Sequence, residues 1–299
     1  MYFLILFLVG KESFTVWIYL RLKRSLFNMS KIAVAISVYY KDKATYFEES
    51  LDSLFRQSNK NFDVYLQVDG SITKELETVI GKYSVYDNFF CDFSLLNKGL
   101  AFQLNRAMEK ILSSGKYEYI ARMDADDICM PNRFDEQVSF LKRRPDIAVL
   151  GSSMIEFDHN GNENNKIMPI EHNELAKNII KRCPVNHPTV MFNLNSINAS
   201  DLKYDSSLQN TQDYYLWVDL LKKGYKFANL SQPLLKFRID ENFHERRGFK
   251  KAVNDFNSRL YAMKALKQFS ASNMLHTILL FSLRISPSYL KKFAYSRLR

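Results

Sequence analysis

Residues 119–134 read "YIARMDADDICMPNRF", and this stretch decides how the rest of the chain is interpreted. A short apolar run of β type ends in three carboxylates, Asp124, Asp126 and Asp127. Pro131 follows and indicates the opening of a helix. The whole chain carries a formal net charge of +10. A concentration of negative charge at the end of a strand therefore indicates a specific role for these carboxylates.

Strands and helices alternate on the N-terminal side of this stretch. Apolar runs at 32–38, 62–68 and 89–96 come before a predicted fourth strand at 117–123, and segments with helical spacing separate them. This order predicts an α/β fold with a central, mostly parallel sheet, flanking helices and right-handed crossovers. Ligands bind outside the carboxyl ends of such strands. Asp69 ends the second strand, so we expect it to share one crevice with the acidic cluster.

The chain divides into three predicted regions. Residues 1–28 form an apolar N-terminal extension, 29–240 the main domain, and 241–299 a basic, helical C-terminal extension. The first region is either a membrane-associating segment or upstream sequence included by an early start-codon choice, because Met29 directly precedes the first predicted core strand.

The composition is that of a globular protein. Hydrophobic residues make up 46% and charged residues 25% of the 299 residues, which argues against long disorder. The three cysteines have no metal-ligand spacing and are odd in number. We therefore expect Cys91, Cys129 and Cys183 to be reduced thiols in a cytosolic compartment.

Positive charge is concentrated towards the C-terminus, where no Asp or Glu occurs from Phe256 to Arg299. A solvated helical face and adhesion to anionic phospholipid both explain it; in the second case each basic residue near the surface adds about 1 kcal/mol. Nucleic acid is not expected as a partner, because no recognised nucleic-acid motif accompanies the charge. The apolar stretch "NMLHTILLFSLRI" is too short to span a bilayer and suits a helix lying in the membrane interface.

The acidic cluster has two interpretations. Asp124 and Asp126 are two residues apart, so in an extended chain both carboxylates face one site. Two adjacent carboxylates repel unless a cation neutralises them, and oxygen ligands select Mg²⁺ or Mn²⁺. The alternative is an ordinary strand end, with Asp127 starting a turn before Pro131.

A second informative stretch is "NTQDYYLWVDLLKKGYKF" at 210–227. Asp213 opens an amphipathic helix there. The helix dipole stabilises a carboxylate at this position, which would remain ionised and could act as a general base. The alternative is an ordinary helix cap. His187 lies in a loop between the two stretches, and a single histidine of this kind is more often a structural hydrogen-bond donor than a ligand.

Several stretches together resemble the family 2 glycosyltransferases, whose nucleotide-diphospho-sugar transferase fold is called GT-A. They are "SVYYKDKATYFEESLDSLFRQ", "VDGSIT", "NKGLAFQLNRAM", "ARMDADDICMPNRFDEQVSFL", "NHPTVMF", "QDYYLWVDLLKKGYKF" and "LLKFRIDENFHERRG". Their order along residues 31–299 is similar to that of the branch that builds bacterial O-antigen, capsule and amylovoran-type exopolysaccharide.

The resemblance implies roles for the acidic residues. Asp69 would contact uracil, Asp126 would coordinate Mn²⁺ or Mg²⁺ on the donor diphosphate, and Asp124 would contact ribose or a metal-bound water. Asp213 would be the base that deprotonates the acceptor hydroxyl. Gln212 stands where the family usually has Glu, which leaves the base intact and alters its neighbour.

The same resemblance implies three further assignments. Arg246 and Arg247 are candidates for a clamp on the donor diphosphate, or else form a solvated basic turn. Asp240 stands where many members have the His of an Arg-x-His motif, and His244 is the candidate that remains for a metal-ligand role. His187 is a candidate on the acceptor side.

The resemblance implies an inverting, membrane-associated glycosyltransferase of surface-polysaccharide assembly. It would move a glucose or galactose from a UDP-sugar to an undecaprenyl-diphosphate-linked GlcNAc-type acceptor. It would work as a peripheral protein on the cytoplasmic face of the bacterial inner membrane. Two alternatives remain open: a sugar nucleotidyltransferase, although the chain lacks the usual Gly-rich N-terminal loop, and a non-enzymatic basic membrane-surface or nucleic-acid-binding protein.

Overall fold

The computed structural model describes residues 31–208, 210–239 and 249–286, and these form a nine-stranded sheet. The first half of the sheet consists of four parallel strands linked by helices, as the sequence predicts. The elements are β1 (Ile32–Tyr39), α1 (Ala44–Phe55), β2 (Phe62–Asp69), α2 (Lys74–Tyr83), β3 (Phe89–Ser94), α3 (Leu100–Ser114) and β4 (Tyr119–Arg122). The strands lie in the order β3-β2-β1-β4.

The second half of the sheet is mixed. Its elements are β5 (Ile128–Cys129), α4 (Arg133–Arg143), β6 (Ile147–Asp158), β7 (Glu163–Lys166), α5 (His172–Asn178), β8 (Met191–Asn193), α6 (Gln212–Lys222) and β9 (Lys226–Ile239). Here β8 inserts antiparallel between β4 and β6, while β9 pairs parallel with β6 and antiparallel with β5. The GT-A-type arrangement of a mostly parallel sheet with flanking helices is thus confirmed.

The first strand shows why the sheet is covered on both faces. Every second residue from Ile32 to Val38 packs into the core beneath α1, α2 and α4. The alternate residues Ala33 and Ala35 face the core beneath α3 and α6. A strand buried on both faces needs a continuous apolar sequence, which is the pattern that identified it.

Two predicted boundaries are wrong. The third strand ends at Ser94 and not at Leu96, and the Leu95 side chain after it is 96% exposed. The helix expected to open at Pro131 begins at Arg133, because Pro131 and Asn132 still belong to the preceding turn. By contrast Gly115 ends α3 in the left-handed conformation expected of it, with φ 62°.

Two C-terminal helices, α7 (Phe249–Ala265) and α8 (Ala271–Ile285), complete the described chain. The ring of Tyr261 in α7 stacks on Tyr215 in α6, with 4.6 Å between the centroids, and its hydroxyl donates a hydrogen bond to Asp219. This joins the C-terminal extension to the helix that carries Asp213. The predicted boundary at 240 and the extension at 1–28 lie outside the described residues.

Among residues 31–208, 210–239 and 249–286, no helix is both long and apolar enough to cross a membrane. Cys91, Cys129 and Cys183 are all free thiols, as expected.

Candidate functional site

The carboxyl ends of β2 and β4 and the first turn of α6 carry the acidic residues that the sequence predicts for one crevice. Asp69 is the last residue of β2, and Asp124 follows β4 after Met123. Asp213 is the second residue of α6; burial raises its pKa, and the charge of Asp124 adds a smaller effect in the same direction. The carboxyl ends of β2 and β4 lie at the same edge of the sheet, because both strands pair parallel with β1. That Asp69, Asp124 and Asp213 serve one crevice stays a prediction.

The acidic cluster contains three carboxylates, Asp124, Asp126 and Asp127. One oxygen atom of each lies within 4.8 Å of the others. Asp124 and Asp126 lie close together, as expected, but a turn at Ala125 and Asp126 brings this about and strand alternation does not. That turn brings Asp127 into the cluster as well, although the sequence offered it mainly as the start of a turn.

The electrostatics of the cluster favour a bound cation. Burial, reinforced by the charge of Asp124, raises the pKa of Asp126 to about 6. Burial and the two neighbouring carboxylates hold the pKa of Asp127 well above its usual range. The Oδ2 atom of Asp127 is buried and has no hydrogen-bond partner within the described chain. Three clustered carboxylates with a buried, unpaired oxygen atom fit a hard divalent cation such as Mg²⁺ or Mn²⁺.

Arg122 is a site residue that the sequence analysis missed. Its side chain is only 2% exposed and forms an ion pair with Asp124. Its charge also acts on two buried groups: it partly offsets the rise that burial causes in the pKa of Asp213, and it adds to the fall that burial causes in the pKa of His187. The signal was present in the sequence, since an arginine inside a short buried strand requires a nearby anion.

Asp213 lies in the first turn of α6, which the buried side chains of Leu216, Trp217 and Leu220 anchor to the core. The helix terminus was expected to stabilise the ionised form, but the pKa of Asp213 shifts in the opposite direction. Burial outweighs the nearby backbone N–H groups and the charge of Arg122, so the pKa of Asp213 is raised. A carboxylate whose pKa is raised accepts a proton more readily than an exposed one, which improves it as a general base.

Asp69 holds the loop before α3. Its carboxylate accepts hydrogen bonds from the backbone N–H groups of Lys98 (2.7 Å) and Gly99 (2.9 Å) and from Nε2 of Gln103 (2.6 Å). Gly70 follows at φ +82°, where an added Cβ would lie 2.9 Å from the backbone nitrogen of Asn97. Only glycine fits this close approach. The contact of Asp69 with uracil stays a prediction.

A cavity of about 330 Å³ separates the start of α3 from the start of α6. It lies beside the loop that Asp69 holds, and one of its lining residues, Gln212, directly precedes Asp213. Its lining residues are Asn97, Lys98, Gly99, Leu100, Ala101, Ser206, Leu208 and Gln212.

His187 packs behind the crevice. Its Nε2 atom lies 2.8 Å from the hydroxyl oxygen of Tyr204, and its ring contacts Trp217 with 6.0 Å between centroids. Burial, helped by the charge of Arg122, holds the pKa of His187 well below its usual range, so the ring is neutral. This geometry favours the structural interpretation, and an acceptor-side role stays a prediction.

The remaining predicted site residues cannot be placed. Arg246, Arg247 and His244 lie outside the described residues.

Comparison with known proteins gives consistent results. The family profile described as "Glycosyl transferase family 2" matches residues 33–200. The chain is 30% identical over 268 residues to the amylovoran biosynthesis glycosyltransferase AmsE of Erwinia amylovora, covering 89% of this chain and 98% of that protein. It is 27% identical over 270 residues to an Escherichia coli UDP-Gal:alpha-D-GlcNAc-diphosphoundecaprenol beta-1,3-galactosyltransferase, covering 89% and 96%.

Solved structures share the fold. Residues 1–349 of TarS from S. aureus, in complex with UDP-GlcNAc, superpose with a TM-score of 0.58 at 16% identity, covering 88% of this chain and 83% of that one. The mannosyltransferase PcManGT from Pyrobaculum calidifontis, in complex with GDP-Man and Mn²⁺, gives a TM-score of 0.55 at 12% identity, covering 94% and 86%. At these identities the likeness concerns the fold alone.

Proposed function

Because this chain belongs to glycosyl transferase family 2, we propose that it transfers a hexose, glucose or galactose, from a UDP-sugar with inversion at the anomeric carbon. The proposed acceptor is a GlcNAc-type sugar linked through diphosphate to undecaprenol, in bacterial surface-polysaccharide assembly. The observation that carries the proposal is the acidic cluster, in which three carboxylates lie close enough together to hold one metal ion. The E. coli relative named for this type of acceptor supports the choice of acceptor.

The acidic cluster is proposed to hold the metal. Asp126 would be its principal ligand, and the short separation of the carboxylate oxygen atoms lets Asp124 and Asp127 contribute directly or through water. When bound, the metal supplies positive charge that neutralises the diphosphate of the donor and of the departing UDP. Arg122 keeps Asp124 in place through their ion pair.

Asp213 is proposed as the general base. The acceptor hydroxyl oxygen forms a bond to the anomeric carbon while the bond from that carbon to the diphosphate oxygen breaks. The hydroxyl proton passes to the Asp213 carboxylate, and UDP leaves with the bonding electron pair. The raised pKa of Asp213 suits this role. The cavity lined by its neighbour Gln212 offers room for a sugar, which supports the assignment.

Family membership removes the two alternatives. A nucleotidyltransferase and a non-enzymatic basic protein are not members of this family, so neither is proposed. Arg246 and Arg247 remain candidates for the diphosphate clamp on the strength of the sequence alone.

Transfer assays across a donor panel test the proposed function. We expect hexose transfer from UDP-glucose or UDP-galactose, in the presence of Mn²⁺, to a synthetic GlcNAc-diphospho-lipid. The anomeric configuration of the product, read by proton NMR, should be β. Transfer only from a GDP-sugar, or a product that retains the donor configuration, would contradict the proposal.

Helix α8 supports a membrane-surface location. Leu275, Ile278 and Leu279 share one face at helical spacing and are exposed, Leu275 to 58% and Leu279 to 59%. The chain around this face is basic, because Lys and Arg residues occur after Asp255 and no Asp or Glu does. An apolar face within basic chain suits the interface of an anionic bilayer. We propose that α8 lies in the inner-membrane surface on the cytoplasmic side, where lipid-linked acceptors present their sugars.

Vesicle flotation tests this location. We expect binding to vesicles with phosphatidylglycerol that weakens with added salt, because part of the attraction is electrostatic. Replacing Lys291, Lys292, Arg297 and Arg299 by Gln should abolish it. Leu275→Gln with Leu279→Gln should weaken it at any salt concentration, because these changes remove apolar contact. Equal binding to neutral vesicles, or no binding to either kind, would contradict the electrostatic part.

A further inference from the structure

Polar side chains of α1 contact the segment that carries the acidic cluster. The side chains at positions 50, 53 and 57 lie on one face of the helix and its end, and each bonds to the main chain of the 124–134 segment. The bonds run from Ser50 Oγ to the carbonyl of Asp124 (2.9 Å), from the N–H of Cys129 to Ser53 Oγ (2.9 Å), from Gln57 Nε2 to the carbonyl of Met130 (2.7 Å) and from the N–H of Phe134 to Gln57 Oε1 (3.1 Å).

Arg238, near the end of β9, contacts two residues of the acidic cluster. Its Nε donates a hydrogen bond to the carbonyl oxygen of Asp126 at 2.9 Å. Its backbone N–H donates to Oδ1 of Asp127 at 3.0 Å. One residue thus contacts the main chain of one member of the cluster and the carboxylate of another. Since β5 also pairs with β9 directly after the cluster, the acidic turn is held along this strand.

Three side chains restrain the guanidinium of Arg238. It lies over the ring of Tyr46 at 4.0 Å and the ring of Phe157 at 4.6 Å, and it forms an ion pair with Glu49. The Arg238 side chain is only 12% exposed. Tyr46 and Glu49 belong to α1, so Arg238 connects that helix to the acidic turn. A guanidinium held between two rings has little freedom left to lose when it makes directional bonds.

We propose that Arg238 is a positioning residue for the acidic cluster: it holds the 126–127 turn in the conformation that aims the three carboxylates at one divalent cation. The physical need is plain, because like charges at this separation repel and would open an unrestrained turn. Arg238 opposes that with two directional bonds to the turn and with a positive charge close to it. The inference rests on the proposed metal-binding role of the cluster.

Arginine is required here on geometric grounds. Nε and Nη2 point in different directions from a planar group, and they reach Asp126 and Glu49 at the same time. A lysine keeps the charge but has one terminal nitrogen atom and no planar face to lie between the rings. Arg238→Lys therefore separates positioning from charge.

The test measures Mn²⁺ binding directly. The free Mn²⁺ signal in electron paramagnetic resonance is titrated with the full chain, with and without UDP, alongside the melting temperature. Partners that orient metal ligands typically contribute about 10–100-fold to metal affinity. We expect Arg238→Lys to weaken Mn²⁺ binding about tenfold or more and to raise the Mn²⁺ concentration needed for half-maximal transfer. At saturating Mn²⁺ its kcat should return close to that of the wild type.

Lys236 supplies the matched control. It lies on the same strand, and its side chain pairs with Glu163 and not with the acidic turn. Its backbone pairs with Ile128 next to the turn, but that pairing does not depend on the side chain, so Lys236→Gln should leave Mn²⁺ affinity unchanged. Glu49→Gln keeps Arg238 and loosens its anchor, and should weaken Mn²⁺ binding in the same direction. If Arg238→Lys fails to fold, the Mn²⁺ affinity of Glu49→Gln alone tests the positioning role.

The outcomes separate this inference from the proposed function. Wild-type Mn²⁺ affinity in both Arg238→Lys and Glu49→Gln would overturn the positioning role while leaving the metal site intact. A wild-type protein that binds no Mn²⁺ would overturn the metal site and this inference together.

Discussion

The Asp126→Ala variant should lose sugar transfer by on the order of 10³-fold or more. Metal stabilisation of developing charge is worth several kcal/mol, and each ~1.4 kcal/mol changes a rate tenfold. Mn²⁺-dependent UDP binding should be lost with it, because Asp126 is the proposed principal ligand among the three clustered carboxylates. Turnover with a UDP-hexose and UDP affinity by calorimetry, with and without Mn²⁺, measure both effects.

The fold should survive this substitution. Asp126 belongs to a turn, and the raised pKa shows that its charge is unfavourable in the metal-free protein. The melting temperature without metal should therefore stay the same or rise. Asp87→Ala is the matched control, since Asp87 is an exposed carboxylate before β3, at the opposite edge of the sheet. Full activity in Asp126→Ala would refute the metal assignment.

The Asp213→Asn variant should bind UDP and Mn²⁺ as the wild type does and lose turnover by roughly 10²–10⁴-fold, the usual contribution of a general base. Asparagine has the shape of aspartate, so the first turn of α6 and the adjacent cavity should keep their geometry. Its amide cannot take up the acceptor proton. The measurement is kcat beside the dissociation constant of UDP.

Asp219→Asn is the comparison for Asp213→Asn. Asp219 is a carboxylate of the same helix and accepts a hydrogen bond from Tyr261 on the side of α7. Its loss should affect the packing of α7 and leave the chemical step unchanged. If Asp213→Asn loses UDP affinity together with turnover, Asp213 binds the donor or supports the fold and is not the base.

Local sequence patterns were sufficient for the framework of the fold. The strand at 32–38 and the helix over 99–115 were both predictable, because burial on both faces demands a continuous apolar run and helix packing demands a fixed spacing. The same patterns located the acidic stretch after β4 and Asp213 at the start of α6. These are properties of neighbouring residues, so the sequence by itself determines them.

The geometry of the site depended on contacts between distant segments. The turn that adds Asp127 to the cluster is held by Arg238, and the bonded residues Asp126 and Arg238 are 112 positions apart. Burial, and not the helix terminus, dominates the pKa of Asp213, because α6 packs its first turn against other elements. No local pattern encodes which polar groups meet when the chain closes. The sequence alone therefore determined the elements and the acidic residues, whereas the tertiary structure decided how those residues are oriented, buried and paired.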